Sequence, residues 1–154
     1  MKKALVTLSI LFVSVAMFAQ TQATQTAAAP QKKADDYVKF KEISYNFGKI
    51  KQGTPVTHDF AFSNISDQPV VIEFAQASCG CTTPTWPQGA IAKGKNDKIT
   101  AGFNAAAAAP FTKTITVKLA GVEQPTILTI TGEVLSAEDY AKYEETKKNG
   151  KSGK

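Results

Sequence analysis

The chain has 154 residues, 43% of them hydrophobic and 20% charged, with a net charge of +5. That length allows one domain, a sandwich of about 100 residues with tails to spare, and a core that needs no metal or staple merely to fold. Every basic side chain is lysine, many of them near the end (Lys142, Lys147, Lys148, Lys151 and Lys154), which argues against a nucleic-acid partner and for a solvated tail.

Residues 1–19 read as a secretory signal peptide. Lys2 and Lys3 supply a positive start, residues 4–18 form an apolar run, and Ala16 and Ala19 offer small residues for cleavage after Ala19. The run is short for a membrane span and no second one follows, so no stable span is expected after cleavage. No cysteine lies at the cleavage region, which leaves a lipid anchor unsupported. The expected location is exported, periplasmic or extracellular, where cysteines are free to pair. Residues 20–36 are low in hydrophobicity and are expected to be a disordered linker.

From there the chain alternates. Val38, Phe40, Ile43, Tyr45 and Phe47 recur at period two, and Gly48 with the Gly53-Thr54-Pro55 corner ends the run. The cleanest strand places Val56, His58, Phe60 and Phe62 on one face and Thr57, Asp59, Ala61 and Ser63 on the other. Residues 64–69 turn the chain, and Val70, Ile72 and Phe74 are expected to face inward. Then comes Ser78-Cys79-Gly80-Cys81-Thr82, which holds both cysteines, followed by a loop marked by Pro84, Trp86, Pro87 and Gly89. Ile99, Ala101 and Phe103 resume the alternation. Five alanines at 105–109 closed by Pro110 read as a loop or a single turn, not a helix. Ile115, Val117 and Leu119 make the next strand, and residues 126–134 the last. Ser136 with Asp139 resembles a capping box for a short helix over 137–146, fraying into a basic tail over 136–154. Six or seven short strands with no long helix among them point to an antiparallel β-sandwich, with a curled sheet or barrel as the alternative.

Phe47-Gly48-Lys49-Ile50, then Gly53, Val56, His58, Phe60, Phe62 and Asn64, then Pro69, Ile72 and Ser78-Cys79-Gly80-Cys81-Thr82 with Pro84, Trp86 and Pro87, follow one family's pattern. Over residues 43–119 the chain resembles the secreted bacterial family known as domain of unknown function 1573. Lys93-Gly94 stands where that family has Pro-Gly, and the 105–109 loop departs from it. The resemblance implies export and an all-β, immunoglobulin-like sandwich of about seven strands over residues 37–135, related to ASH, PapD-like and major-sperm-protein domains. It implies little chemistry.

Three states compete for Cys79 and Cys81: a disulfide, a free or redox-active thiol pair, and a metal site. An extended Cys-x-Cys spans about 7 Å while a disulfide needs Cα atoms about 4.4–6.8 Å apart, so a bend at Gly80 is required. Export favours the disulfide, and the tiny ring implies little effect on the unfolded chain. Two thiolates could instead hold copper(I), with His58 as a third ligand if pairing about the 64–69 turn sets it level with Ala75. Such a grouping fails if the two strands belong to opposite sheets about 10 Å apart, leaving His58 packed at the core edge. Trp86 is read as a lid over the sandwich end, with exposed recognition as the alternative. Asn64-Ile65-Ser66 fits a glycosylation sequon. The sequence contains no triad, paired-carboxylate setting or phosphate loop, so neither catalytic residues nor a cofactor are expected. The expectation is a non-enzymatic envelope module that docks an unidentified envelope protein, an open sheet edge allowing strand addition. The alternative is a periplasmic thiol-redox or copper-handling protein.

Overall fold

The computed structural model describes residues 32–151. The expected signal peptide and residues 20–31 of the linker lie outside the described residues. Eight strands follow: β1 (Val38–Phe40), β2 (Ser44–Lys51), β3 (Val56–Asn64), β4 (Ile72–Ala77), β5 (Thr82–Thr85), β6 (Asn96–Phe103), β7 (Pro110–Leu119) and β8 (Thr126–Leu135). They form two four-stranded sheets, ordered β1-β3-β6-β5 and β2-β8-β7-β4. A helix, α1 (Ala137–Lys151), closes the described chain. The sandwich is therefore as expected, with two differences. The added strand, β5, runs through Pro84, where the prolines had read as loop. And β2 pairs with β8 in parallel, the other pairings being antiparallel.

The parallel pair follows from how the first alternating run is divided. Lys41 N donates to Ala61 O, closing the ladder between β1 and β3, while Ile43 O accepts from Thr129 N, opening the ladder to β8. Between these bonds the chain leaves one sheet for the other, and Ile43, one of the apolar residues recurring at period two, is 55% exposed. The alternation is real on either side of the crossing, but its two halves serve different sheets.

β3 behaves as its sequence dictates. Phe60 and Phe62 are buried among Ile99, Ile115, Leu128 and Ile130, and Asp59 points to solvent. β4 does not. Ile72 pairs with Leu119 and Phe74 with Lys118, so Glu73 is an extra residue, a bulge that reverses the phase of the strand. Phe74 is consequently exposed and Ala75 buried in its place.

Both ends of the sandwich differ from their expected boundaries. Lys33 bridges Gln124, Ala34 is buried, and Thr126 Oγ1 donates to Asp35 Oδ1, so residues 33–36 belong to the sandwich and not to a linker. At the other end Asp139 N donates to Ser136 Oγ, which donates to Asp139 Oδ2; this cap starts a helix longer than the one expected over 137–146. No described helix is long and apolar enough to cross a membrane.

Candidate functional site

β4 is the last strand of one sheet and β5 the last strand of the other. Residues 78–81 carry the chain between them, so the cysteine motif is the corner where one edge of the sandwich closes. Cys79 and Cys81 are joined by a disulfide with Cα atoms 5.3 Å apart. The bend expected at Gly80 is present, but glycine is not what permits it. Gly80 is not among the residues of positive φ, and a Cβ built there meets nothing within 4 Å. The corner is held from its flanks instead. Ser78 N donates to Thr114 O at 2.9 Å, Asn104 N to Cys81 O at 3.1 Å, and Thr82 N to Cys79 O at 3.3 Å. Thr82 is buried, and its hydroxyl lies 3.7 Å from Cys79 Sγ.

Beside Cys81 opens a cleft of about 170 Å³, lined by Phe103, Ala107, Pro110, Phe111 and Lys113 among others. Phe103 and Phe111 stack at 4.1 Å between ring centroids. The alanine run forms the wall: it is the β6–β7 loop, as expected, with Ala107 exposed and Ala105 buried at φ +50. That left-handed conformation is uncommon for alanine; here Ala105 O accepts from Gly53 N and anchors it. The small side chains leave the cleft open. An engineered cavity of about 150 Å³ lined by Leu, Ile and Phe admits benzene, so this one suits a single aromatic or branched aliphatic side chain.

His58 is not brought to the cysteines. It stacks on Tyr45 of the facing sheet at 3.5 Å, lies edge-on to Phe47 and Phe60, and Nε2 is 2.9 Å from Glu42 Oε1. β3 and β4 lie in opposite sheets, so the pairing that would level His58 with Ala75 does not form. Among the described residues no group of three or more His, Cys, Asp or Glu side chains is placed to hold a metal ion. A bonded sulfur pair also presents no thiolate to copper(I).

Trp86 packs against the core beside a shallow hollow shared with Pro87, Asp97 and Lys98. Its Nε1 is shielded from solvent and has no hydrogen-bond partner in the described structure. The residue as a whole is half-buried.

Each of the four sheet edges carries a device against strand addition. β1 has three residues, and β2 is interrupted between Asn46 and Lys49, where Gly48 takes a φ of +67. β4 has its bulge. β5 contains Pro84, and its Thr82 N–H is occupied by Cys79 O. Short, bulged and proline-bearing edges resist pairing. The cleft, by contrast, is open, and sequence reasoning missed it. Its residues come from Cys81 and from the stretch 103–113, far apart in sequence, and the alanine run beside the cysteines in space was the one signal available.

A profile of the family described as "Protein of unknown function (DUF1573)" matches residues 38–134. No curated protein matches the sequence. Among solved structures, the fold resembles a protein of unknown function from Porphyromonas gingivalis W83 (9% identity, TM-score 0.54, covering 64% of this chain and 46% of that one). It also resembles the ASH/PapD-like domain 7 of human CEP192 (11% identity, TM-score 0.57, 84% and 99%). A third likeness is the VesB protease of Vibrio cholerae (14% identity, TM-score 0.52, 66% and 33%). The chain thus spans less than half of the P. gingivalis protein and about a third of VesB. Likeness at these identities shows the immunoglobulin-like fold and nothing of activity.

Proposed function

The chain belongs to the DUF1573 family, and from that premise we propose an exported, non-enzymatic immunoglobulin-like domain that docks another protein of the cell envelope. The observation that carries the docking is the apolar cleft beside Cys81, sized for one side chain and floored by two stacked phenylalanines. A partner inserting one aromatic or aliphatic anchor there would bury it in a preformed pocket, the arrangement in which single side chains dominate binding. Docking through the cleft replaces strand addition because the edges are blunted. Export rests on Lys2, Lys3 and the apolar run that follows them.

Site-specific photocrosslinking in the native envelope tests the docking. A crosslinker at Ala109, on the cleft wall, should give a discrete adduct that is lost when Ala107→Trp fills the cleft. A crosslinker at Thr131, on β8, should not give it. Equal adducts from both positions, insensitive to Ala107→Trp, would overturn the reading. Export is checked separately: N-terminal sequencing of the mature protein should begin near Gln20, and an intact Met1 would contradict it.

A further inference from the structure

We infer that the Cys79–Cys81 disulfide is a thiol-exchange site for client proteins, which enter by seating an apolar side chain in the cleft that Cys81 lines. The inference rests on the docking reading for the seat and replaces its non-enzymatic character with thiol exchange. The chain has two cysteines, bonded to each other, so an exchanging thiol has to come from another molecule. Both cysteines are half-buried at the corner, and Cys81 forms part of the cleft wall.

The surroundings are arranged for the bond to open and close. The corner's backbone is fixed by Ser78, Cys81 and Thr82 through hydrogen bonds that do not involve sulfur. Opening the disulfide therefore costs no ladder bond, and the two sulfurs stay close for the return reaction. The Thr82 hydroxyl, buried, is directed at Cys79 Sγ and can donate to it as a thiolate. Lys113 lines the same cleft as Cys81, and its ammonium attracts an incoming thiolate and stabilises a departing one.

The reaction proceeds in two displacements. A client thiolate in the cleft attacks Cys81 Sγ. The S–S bond breaks, and its electron pair leaves on Cys79 Sγ, which Thr82 stabilises. The client is now bonded to Cys81 as a mixed disulfide. A second client thiolate attacks the client sulfur of that bond, and Cys81 departs as a thiolate near Lys113. The client dithiol has lost two electrons and two protons to become a disulfide, and Cys79 and Cys81 have gained both as thiols. Exchange with a second protein disulfide, run in the reverse direction, restores the oxidised pair.

The test uses the mature oxidised protein and a synthetic dithiol peptide with Phe beside its first cysteine, sampled by acid quench, alkylation and mass spectrometry. The reference is the disulfide form of a peptide spanning residues 78–82. Exchange with the protein should exceed the reference by about tenfold, the factor expected from seating one apolar side chain. Replacing the peptide's Phe by Gly, or introducing Ala107→Trp, should remove that advantage. Lys113→Ala should slow the reaction, and Cys79→Ser, which leaves no disulfide for the client thiolate to attack, should abolish it. Exchange no faster than the reference and indifferent to Ala107→Trp overturns the inference. Binding of the same peptide with both cysteines replaced by serine separates the two readings. If it binds without faster exchange in the thiol form, the exchange site is wrong and docking stands; if it neither binds nor exchanges, both are wrong.

Discussion

Phe60 sits on the inward face of β3 with no exposed surface, so Phe60→Ala leaves a void between two sheets that cannot collapse independently. The expected loss is about 3–5 kcal/mol in a denaturant melt. Its neighbour Asp59 faces solvent on the same strand and accepts from Lys98 Nζ at 2.6 Å and Thr100 Oγ1 at 2.5 Å. The hydrogen bond from Lys98, followed by that from Thr100, holds the Asp59 carboxyl below the usual aspartate range. A depressed carboxylate contributes stability above its unfolded value and loses it as pH falls through the folded one. Asp59→Asn should therefore be less stable than wild type at neutral pH, by under about 1 kcal/mol because the pair is exposed. The difference should close as pH falls below about 3.9. A gap that persists undiminished at pH 2, measured by paired melts, would show that the charge is not its cause. Equal losses for Phe60→Ala and Asp59→Ala would mean that the strand faces are reversed.

At the scale of elements, the alternation of β3, β6 and β7 was legible because each stays in one sheet between two neighbours and turns one face to the core throughout. Legibility failed where a strand changes partner or phase. Ile43 stands at the crossing between sheets, Phe74 follows a bulge, and β5 is an edge strand that tolerates Pro84 because its outward side needs no donor. Asn64 shows the limit of motif reading. It fits a sequon, yet it is 1% exposed at the end of β3. Its Nδ2 donates to Gln68 O and Ile91 O, and its Oδ1 accepts from Ser66 N and Oγ. The side chain fastens the 64–69 turn to the strand and leaves no room for a glycan. Asn64→Asp would aim a carboxylate at two carbonyls, with an expected cost of about 3 kcal/mol or more; a loss under about 1 kcal/mol would mean the turn rearranges freely. Gly132 is a second element-level constraint. A Cβ there would lie 2.8 Å from the Phe111 ring and 2.9 Å from Gly48 O, where β8 passes the interruption in β2. Gly132→Ala should cost about 1–3 kcal/mol by overpacking, read from the same melts.

For the molecule as a whole, the chain passes between the two sheets five times, at β1–β2, β2–β3, β3–β4, β4–β5 and β6–β7. The β4–β5 junction carries the disulfide, which invites the view that it staples the sandwich. The geometry argues otherwise. The bond closes a ring between residues two apart in sequence, so it removes little entropy from the unfolded chain. The corner is already tied to both sheets by Ser78 and Cys81, and the core between Phe60, Ile99, Ile115 and Leu128 is built without it. That core was written into strand periodicity and could be read there. The cleft was not, because Cys81, Phe103 and Lys113 become neighbours only when β5, β6 and β7 have folded together. Replacing both cysteines by serine should then lower stability by well under the 2–5 kcal/mol typical of disulfides that hold small secreted domains together. The reduced wild type should melt as cooperatively as the double mutant. A loss of 2 kcal/mol or more in both would make the bond a structural staple. A small loss would leave a disulfide the fold does not need, placed beside an open cleft, as a bond that opens and closes without unfolding the domain has to be.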